Sequence, residues 1–152
     1  MKNVIVGIML CLFMGCSLVN NYYDSEIENL LDGKQLYYGD FEEIKTVQEI
    51  GYYLIQKIDY KVDEVEEWSN PEETLNRGYG DCDDYAILYL NILYVRFGIK
   101  GSLAVVNHSR EIVNGGITNH VVVFNDKIIE PQNGQEVLYD IGYIFSFDEV
   151  FN

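Results

Sequence analysis

The run "GDCDDYAILYL", Gly80 to Leu90, sets Cys82 among Asp81, Asp83 and Asp84 at the point where a polar stretch turns apolar. A thiol so placed has a chemical use. At a helix N-terminus, unsatisfied N–H groups and the positive end of the helix dipole favour the thiolate, the form of cysteine that attacks carbon. The same N–H groups can receive the oxyanion formed when a thiolate adds to an amide carbonyl. Gly78 and Gly80, just upstream, let the backbone turn sharply and leave a substrate room to approach the sulfur.

A nucleophilic thiol also needs a base, and the chain holds two histidines. His108 lies in the polar, glycine-containing "VNHSREIVNGG" and reads as a surface loop residue. His120 opens the apolar run "HVVVF", where a strand would hold its ring in place. A lone strand histidine is more often structural; next to a helix-start cysteine it becomes the candidate base. The acids work against the thiolate. At about 7 Å and an effective dielectric near 20, each carboxylate disfavours it by about 2 kcal/mol. An imidazolium at about 3.5 Å favours it by about 5 kcal/mol. One histidine therefore outweighs one or two acids, but not three facing the sulfur. The expectation is that Asp81 caps the helix and the other acids form a solvated first turn.

The segment "WSNPEETLNRGYGDCDDYA", Trp68 to Ala86, resembles the nucleophile segment of the transglutaminase-like superfamily. It is most similar to that of the bacterial transglutaminase-like cysteine peptidases, and the likeness runs over roughly Asp40 to Gln132. The resemblance implies a papain- or transglutaminase-like α+β core. There a Gly-Asp-Cys motif starts the central helix, a histidine opens a strand, and an aspartate before proline orients the histidine. Carried onto this chain, the catalytic residues are Cys82, His120 and Glu130 of "EPQNG". Glutamate in place of aspartate lengthens the third member by one methylene. Parity raises a second difficulty, because a two-residue loop at Asn125-Asp126 would pair Glu130 with Val121 and turn it away from His120's face. The expectation is therefore an odd loop, Asn125 to Lys127, or a bulge. The resemblance also makes calcium possible, since some adhesin-processing peptidases of this family bind it through acids flanking the cysteine. Here those acids are Asp81 and Asp83; no cofactor is required.

The elements that must position these residues are legible in outline. "DFEE" offers a helix cap at Asp40, and Phe41, Ile44, Val47, Ile50, Leu54 and Ile58 then recur at helical spacing. "NPEE" predicts a short helix with Asn70 as cap and Pro71 at its first position. The apolar body after Asp81 runs to Gly98 and predicts a central buried helix. Beyond it, "SLAVVN", "HVVVF", "KIIE" and "YIFSF" are short branched or aromatic runs broken by turn residues, so helices give way to an antiparallel sheet.

The N-terminus reads as targeting. Residues 1–16, "MKNVIVGIMLCLFMGC", pair one lysine with an eleven-residue apolar run and end in a lipobox-like Gly15-Cys16. The expectation is an exported lipoprotein anchored through acylated Cys16 on a periplasmic or cell-surface face. A tether over 17–39 and one domain over 40–152 follow. Cys11 leaves with the leader and Cys16 carries lipid, so Cys82 is the one thiol of the folded part and forms no intramolecular disulfide. A net charge of −15 excludes nucleic acid as a partner, because phosphates are repelled.

The function expected is a membrane-tethered cysteine hydrolase, a peptidase or amidase, acting on a protein or peptide substrate through an acyl-thioester. A protein-glutamine transglutaminase and a non-catalytic binding lipoprotein on the same fold are the alternatives.

Overall fold

The computed structural model describes residues 31, 33–64, 67–106, 119–124, 126–138 and 141–151, apart from the side chains of 106 and 119–123. The chain divides into two units, Met1–Asp32 and Gly33–Asn152. Of the first, only position 31 is described, as helical. The expected leader, Cys16 and the tether up to position 30 lie outside the described residues, as do His108 and Asn125.

The second unit is an α+β domain. Its helices are α1 (Glu49–Lys57), α2 (Pro71–Arg77), α3 (Cys82–Phe97) and α4 (Phe147–Val150). Its strands are β1 (Asp59–Tyr60), β2 (Tyr79–Gly80), β3 (Ser102–Val106), β4 (Asn119–Phe124), β5 (Lys127–Glu130), β6 (Gln135–Glu136) and β7 (Ile141–Ser146). β3 to β7 form an antiparallel sheet in the order β6-β5-β4-β3-β7, and β1 and β2 form a separate parallel pair. No helix among the described residues is long and apolar enough to cross a membrane.

α3 is the expected central helix. Every residue from Cys82 to Leu93 is buried, as befits a helix that is apolar nearly all round. It stops at Gly98, whose φ of +68° suits the left-handed cap that glycine takes without strain. Its one buried amide, Asn91, is satisfied by the chain ahead of α1. Asn91 Oδ1 accepts from the Tyr37 N–H at 2.8 Å, and its Nδ2 donates to the Tyr37 carbonyl at 2.9 Å. β3 and β4 pack against α3. Leu103, Phe145 and Ile129 are buried in one row, linked by the pairings Leu103–Phe145, Leu103–Val122 and Val122–Ile129. At roughly 1.5–3 kcal/mol for each such side chain removed from water, this row is a large part of what stabilises the sheet.

α2 forms as the sequence predicts. Asn70 and Glu73 make a reciprocal capping box, Pro71 stands at the first position, and Gly78 closes the helix at φ +73°. α1 departs from expectation, for it starts at Glu49 and not at Asp40. Asp40 caps a turn instead, its Oδ1 accepting from the Glu42 N–H at 3.1 Å. The Glu49 carboxylate then takes the N–H groups of Lys45 and Thr46, at 2.6 and 3.2 Å, ahead of the helix. Phe41 and Ile44 are buried all the same, carried into the core by turns. Gly51 lets the turn after β5 lie directly on α1: a Cβ there would fall inside van der Waals contact with the backbone of Gly134.

Candidate functional site

The site is built around the start of α3. Asp81 is extended and caps the helix. Its carboxylate accepts the Asp84 N–H, while Asp84 Oδ2 accepts the Asp81 N–H at 3.3 Å. Asp84 is fully buried and joins three elements. Its Oδ1 takes the Ser69 N–H at 3.0 Å and the Thr74 hydroxyl at 3.5 Å, and its Oδ2 forms an ion pair with Arg77. Burial raises its pKa, an effect opposed by the Ser69 hydrogen bond and by Arg77. Gly80 fits beneath this carboxylate, since an added Cβ would lie 2.6 Å from Asp84 Cβ and Oδ2. The space expected to admit substrate at Gly80 is thus filled by Asp84.

Cys82 is the first residue of α3 and is 8% exposed. The acids beside it are not the solvated first turn expected from the sequence, because Asp83 and Asp84 are 2% and 0% exposed. α3 is covered on all sides at this end, so its first turn is inside the protein. Beside it runs β1, held by hydrogen bonds from the Asp59 N–H to the Gly78 carbonyl and from the Lys61 N–H to the Gly80 carbonyl, both 2.9 Å. Tyr60 is thereby set opposite Gly80. Its ring lies 6.2 Å from that of Tyr85, whose hydroxyl is anchored on the Ile58 carbonyl. The Tyr60 phenol is pushed up to about 12, by partial burial first and then by the charges of Cys82, Asp81, Asp83 and Glu130. Asp63 completes the group. Its N–H reaches Asp81 Oδ2 at 3.4 Å, and its carboxyl is raised by burial and by Asp81.

Asp81, Cys82 and Asp83 each offer a ligand atom within 4.8 Å of the others. Asp81 Oδ1 is buried and accepts no hydrogen bond among the described residues. Concentrated negative charge and this oxygen suit a divalent cation. Calcium takes six to eight oxygens, so two carboxylates would serve as part of its shell, with water or neighbouring acids completing it. The sulfur is a soft donor and does not belong to that set.

Opposite the helix start stands β4. His120 pairs with Val105 and shares an alternate row with Val122; its side chain lies outside the described residues. The two ends of the β4–β5 hairpin fix its direction along α3. Phe124 lines a cavity of about 400 Å³ together with Tyr89, at the middle of α3, and Ile99, just past its end. Glu130, at the other end, acts on Tyr60 beside Cys82. The end of β4 that bears His120 therefore lies toward the start of α3.

The loop expected ahead of Glu130 requires a correction. The expected odd loop does not occur: Phe124 pairs with Lys127, which closes the hairpin over two residues, with Asp126 at φ +61°. Such a tight turn matches the twist of the strands it joins. Continued through Val122–Ile129, this register sets Glu130 across from Val121, in the row alternate to His120. Its charge still reaches Tyr60 at the strand end.

Three participants, Tyr60, Asp63 and Arg77, were not singled out by sequence reasoning. Arg77 closes α2 three residues before Gly80, and a basic residue so near a buried acid is a usable signal. Tyr60 and Asp63 come to the site through a parallel pairing some twenty positions long, which has no local mark.

A family model described as a transglutaminase-like domain matches residues 21–127, well over half of the chain. The match takes in Cys82 and His120 and ends before Glu130. No curated protein and no solved structure matches the chain.

Proposed function

The chain belongs to the transglutaminase-like domain family, and from that premise we propose that it is a cysteine hydrolase acting on peptide or amide bonds, with Cys82 as nucleophile and His120 as its base. The observation that carries this reading is the placement of a cysteine at the capped start of α3, with the His120 end of β4 alongside.

His120 takes the proton of the Cys82 thiol, and the thiolate adds to the substrate's carbonyl carbon, forming an S–C bond. N–H groups at the start of α3 receive the oxyanion. The tetrahedral species collapses, the C–N bond breaks, and the imidazolium delivers its proton to the leaving amine. Water then adds to the thioester with its proton passing to His120, and the S–C bond breaks to release acid and thiolate. Calcium, if bound, would be held by the carboxylates of Asp81 and Asp83 and would supply positive charge where the buried acids crowd the sulfur. Glu130 is the acid carried over for orienting His120, though its register does not favour that role.

The test is alkylation of the full chain by iodoacetamide across pH, with peptide hydrolysis measured in parallel. Wild type is expected to react well below the range of a free thiol, near pH 8.5. His120→Ala is expected to lose that shift and about 10²–10⁴-fold in hydrolysis. A thiol that reacts only above about pH 8 and ignores His120→Ala supports the non-catalytic binding reading, which the register of Glu130 favours. A glutamine peptide that gains a primary amine faster than it is hydrolysed replaces hydrolase with transglutaminase.

A further inference from the structure

We propose that Tyr60 is a further catalytic residue of this site, donating its hydroxyl to the oxygen of the acyl group under attack by Cys82. The role rests on the hydrolase reading and adds a side-chain donor to the backbone donors at the start of α3. Three observations carry it.

The first is the tie between β1 and β2. Tyr60 stands opposite Gly80, two residues before the nucleophile, and hydrogen bonds on either side of it fix that register. Paired strands lie about 4.8 Å apart, and Cys82 follows two residues after Gly80, which sets Tyr60 beside the start of α3. The second is the packing of the ring. Tyr85, three residues after Cys82 on α3, backs the Tyr60 ring at 6.2 Å and is itself pinned by its hydroxyl to Ile58. Tyr60 is thus held over the first turn of the helix. The third is exposure. Tyr60 is 50% exposed while Cys82, Asp81 and Asp83 are nearly covered, so Tyr60 is open to a substrate that approaches the start of α3.

The chemistry of the phenol suits the same use. An ordinary tyrosine hydroxyl, with a pKa of about 10, is protonated at physiological pH and can donate. A neutral O–H among anions can donate to a new oxyanion, whereas a phenolate there could not. No proton leaves Tyr60 in the reaction; it stabilises charge and does not transfer it.

The experiment compares two reactions of one sulfur. Acylation by p-nitrophenyl acetate passes through a tetrahedral oxyanion: the S–C bond forms, the C–O bond breaks, and p-nitrophenolate leaves. Alkylation by iodoacetamide displaces iodide and forms no oxyanion. In the full chain, Tyr60→Phe is expected to slow acylation on the order of 10²-fold, the usual effect of losing one oxyanion donor, with the alkylation rate unchanged. Equal acylation rates in the variant and wild type overturn the role of Tyr60 alone. An equal fall in both reactions also overturns it, because Tyr60 would then act on the thiolate or the fold. Wild type that releases no more p-nitrophenolate than Cys82→Ser overturns the hydrolase reading and this role with it.

Discussion

At the scale of single residues, the site is a contest between one thiol and the acids around it. Asp81, Asp83 and Asp84 are all buried, yet they are not equivalent. Asp84 is neutralised by Arg77 and by two backbone N–H groups, so its charge is largely used up in the fold. Asp81 spends part of its carboxylate on the cap. Glu130 differs again: it reaches Tyr60 electrostatically but sits in the row alternate to His120. A carboxylate that orients a catalytic histidine is worth about 10⁴ in rate when replaced by its amide. For Glu130→Gln the register predicts a change in hydrolysis of less than about threefold, small on that scale. A loss approaching 10⁴ in kcat would show that the strand end twists Glu130 onto the ring, and would restore the triad.

At the scale of elements, the start of α3 depends on contacts that converge from α2, β2 and the segment before α2. Removing Asp84 would leave the Arg77 guanidinium without its acid, and the Ser69 and Asp81 N–H groups without an acceptor. Breaking a buried pair from one side costs about 3–5 kcal/mol. Asp84→Ala is therefore expected to lower the urea midpoint by that equivalent at unchanged m, and Asp84→Asn by less, since an amide oxygen still accepts from Ser69. A midpoint within error of wild type for Asp84→Ala would remove Asp84 from its structural role. What could be read from the sequence follows the same division. α2 and α3 were legible because their signals are local: a cap, an apolar run and a closing glycine, each beside the next in the chain. The late start of α1 was not, because an aspartate that caps a turn and one that caps a helix look alike until the following N–H groups find their acceptors. The odd hairpin loop was inferred from what the chemistry wanted, and the backbone preferred the two-residue turn. β1 and β2 were invisible, being two residues each and paired across α2, and with them went Tyr60 and Asp63.

At the scale of the whole molecule, charge dominates. Acids outnumber lysine and arginine by 25 to 10. Among the described residues, the ion pairs other than Arg77–Asp84 are exposed on both sides and so contribute little to stability. The domain is therefore surrounded by a negative field that attracts cations generally, and a specific calcium site must be separated from that diffuse atmosphere. Screening by salt acts on all charges alike and depends on ionic strength alone. A bound ion adds stability in proportion to RT ln(1 + [L]/Kd), about 2.7 kcal/mol at a hundredfold excess over Kd, which for a domain of this size is several degrees in Tm. If Asp81 and Asp83 hold calcium, then calcium at about 1 mM, where extracellular modules bind it, raises Tm over the same buffer with chelator. Sodium chloride at matched ionic strength does not reproduce that rise, and magnesium, which demands octahedral oxygens and sheds water reluctantly, does so weakly. In Asp83→Asn the calcium increment should vanish while the sodium chloride effect persists. Identical melting temperatures in calcium and chelator, at matched ionic strength, would reduce the acids around Cys82 to part of the general field and remove calcium from the proposed site.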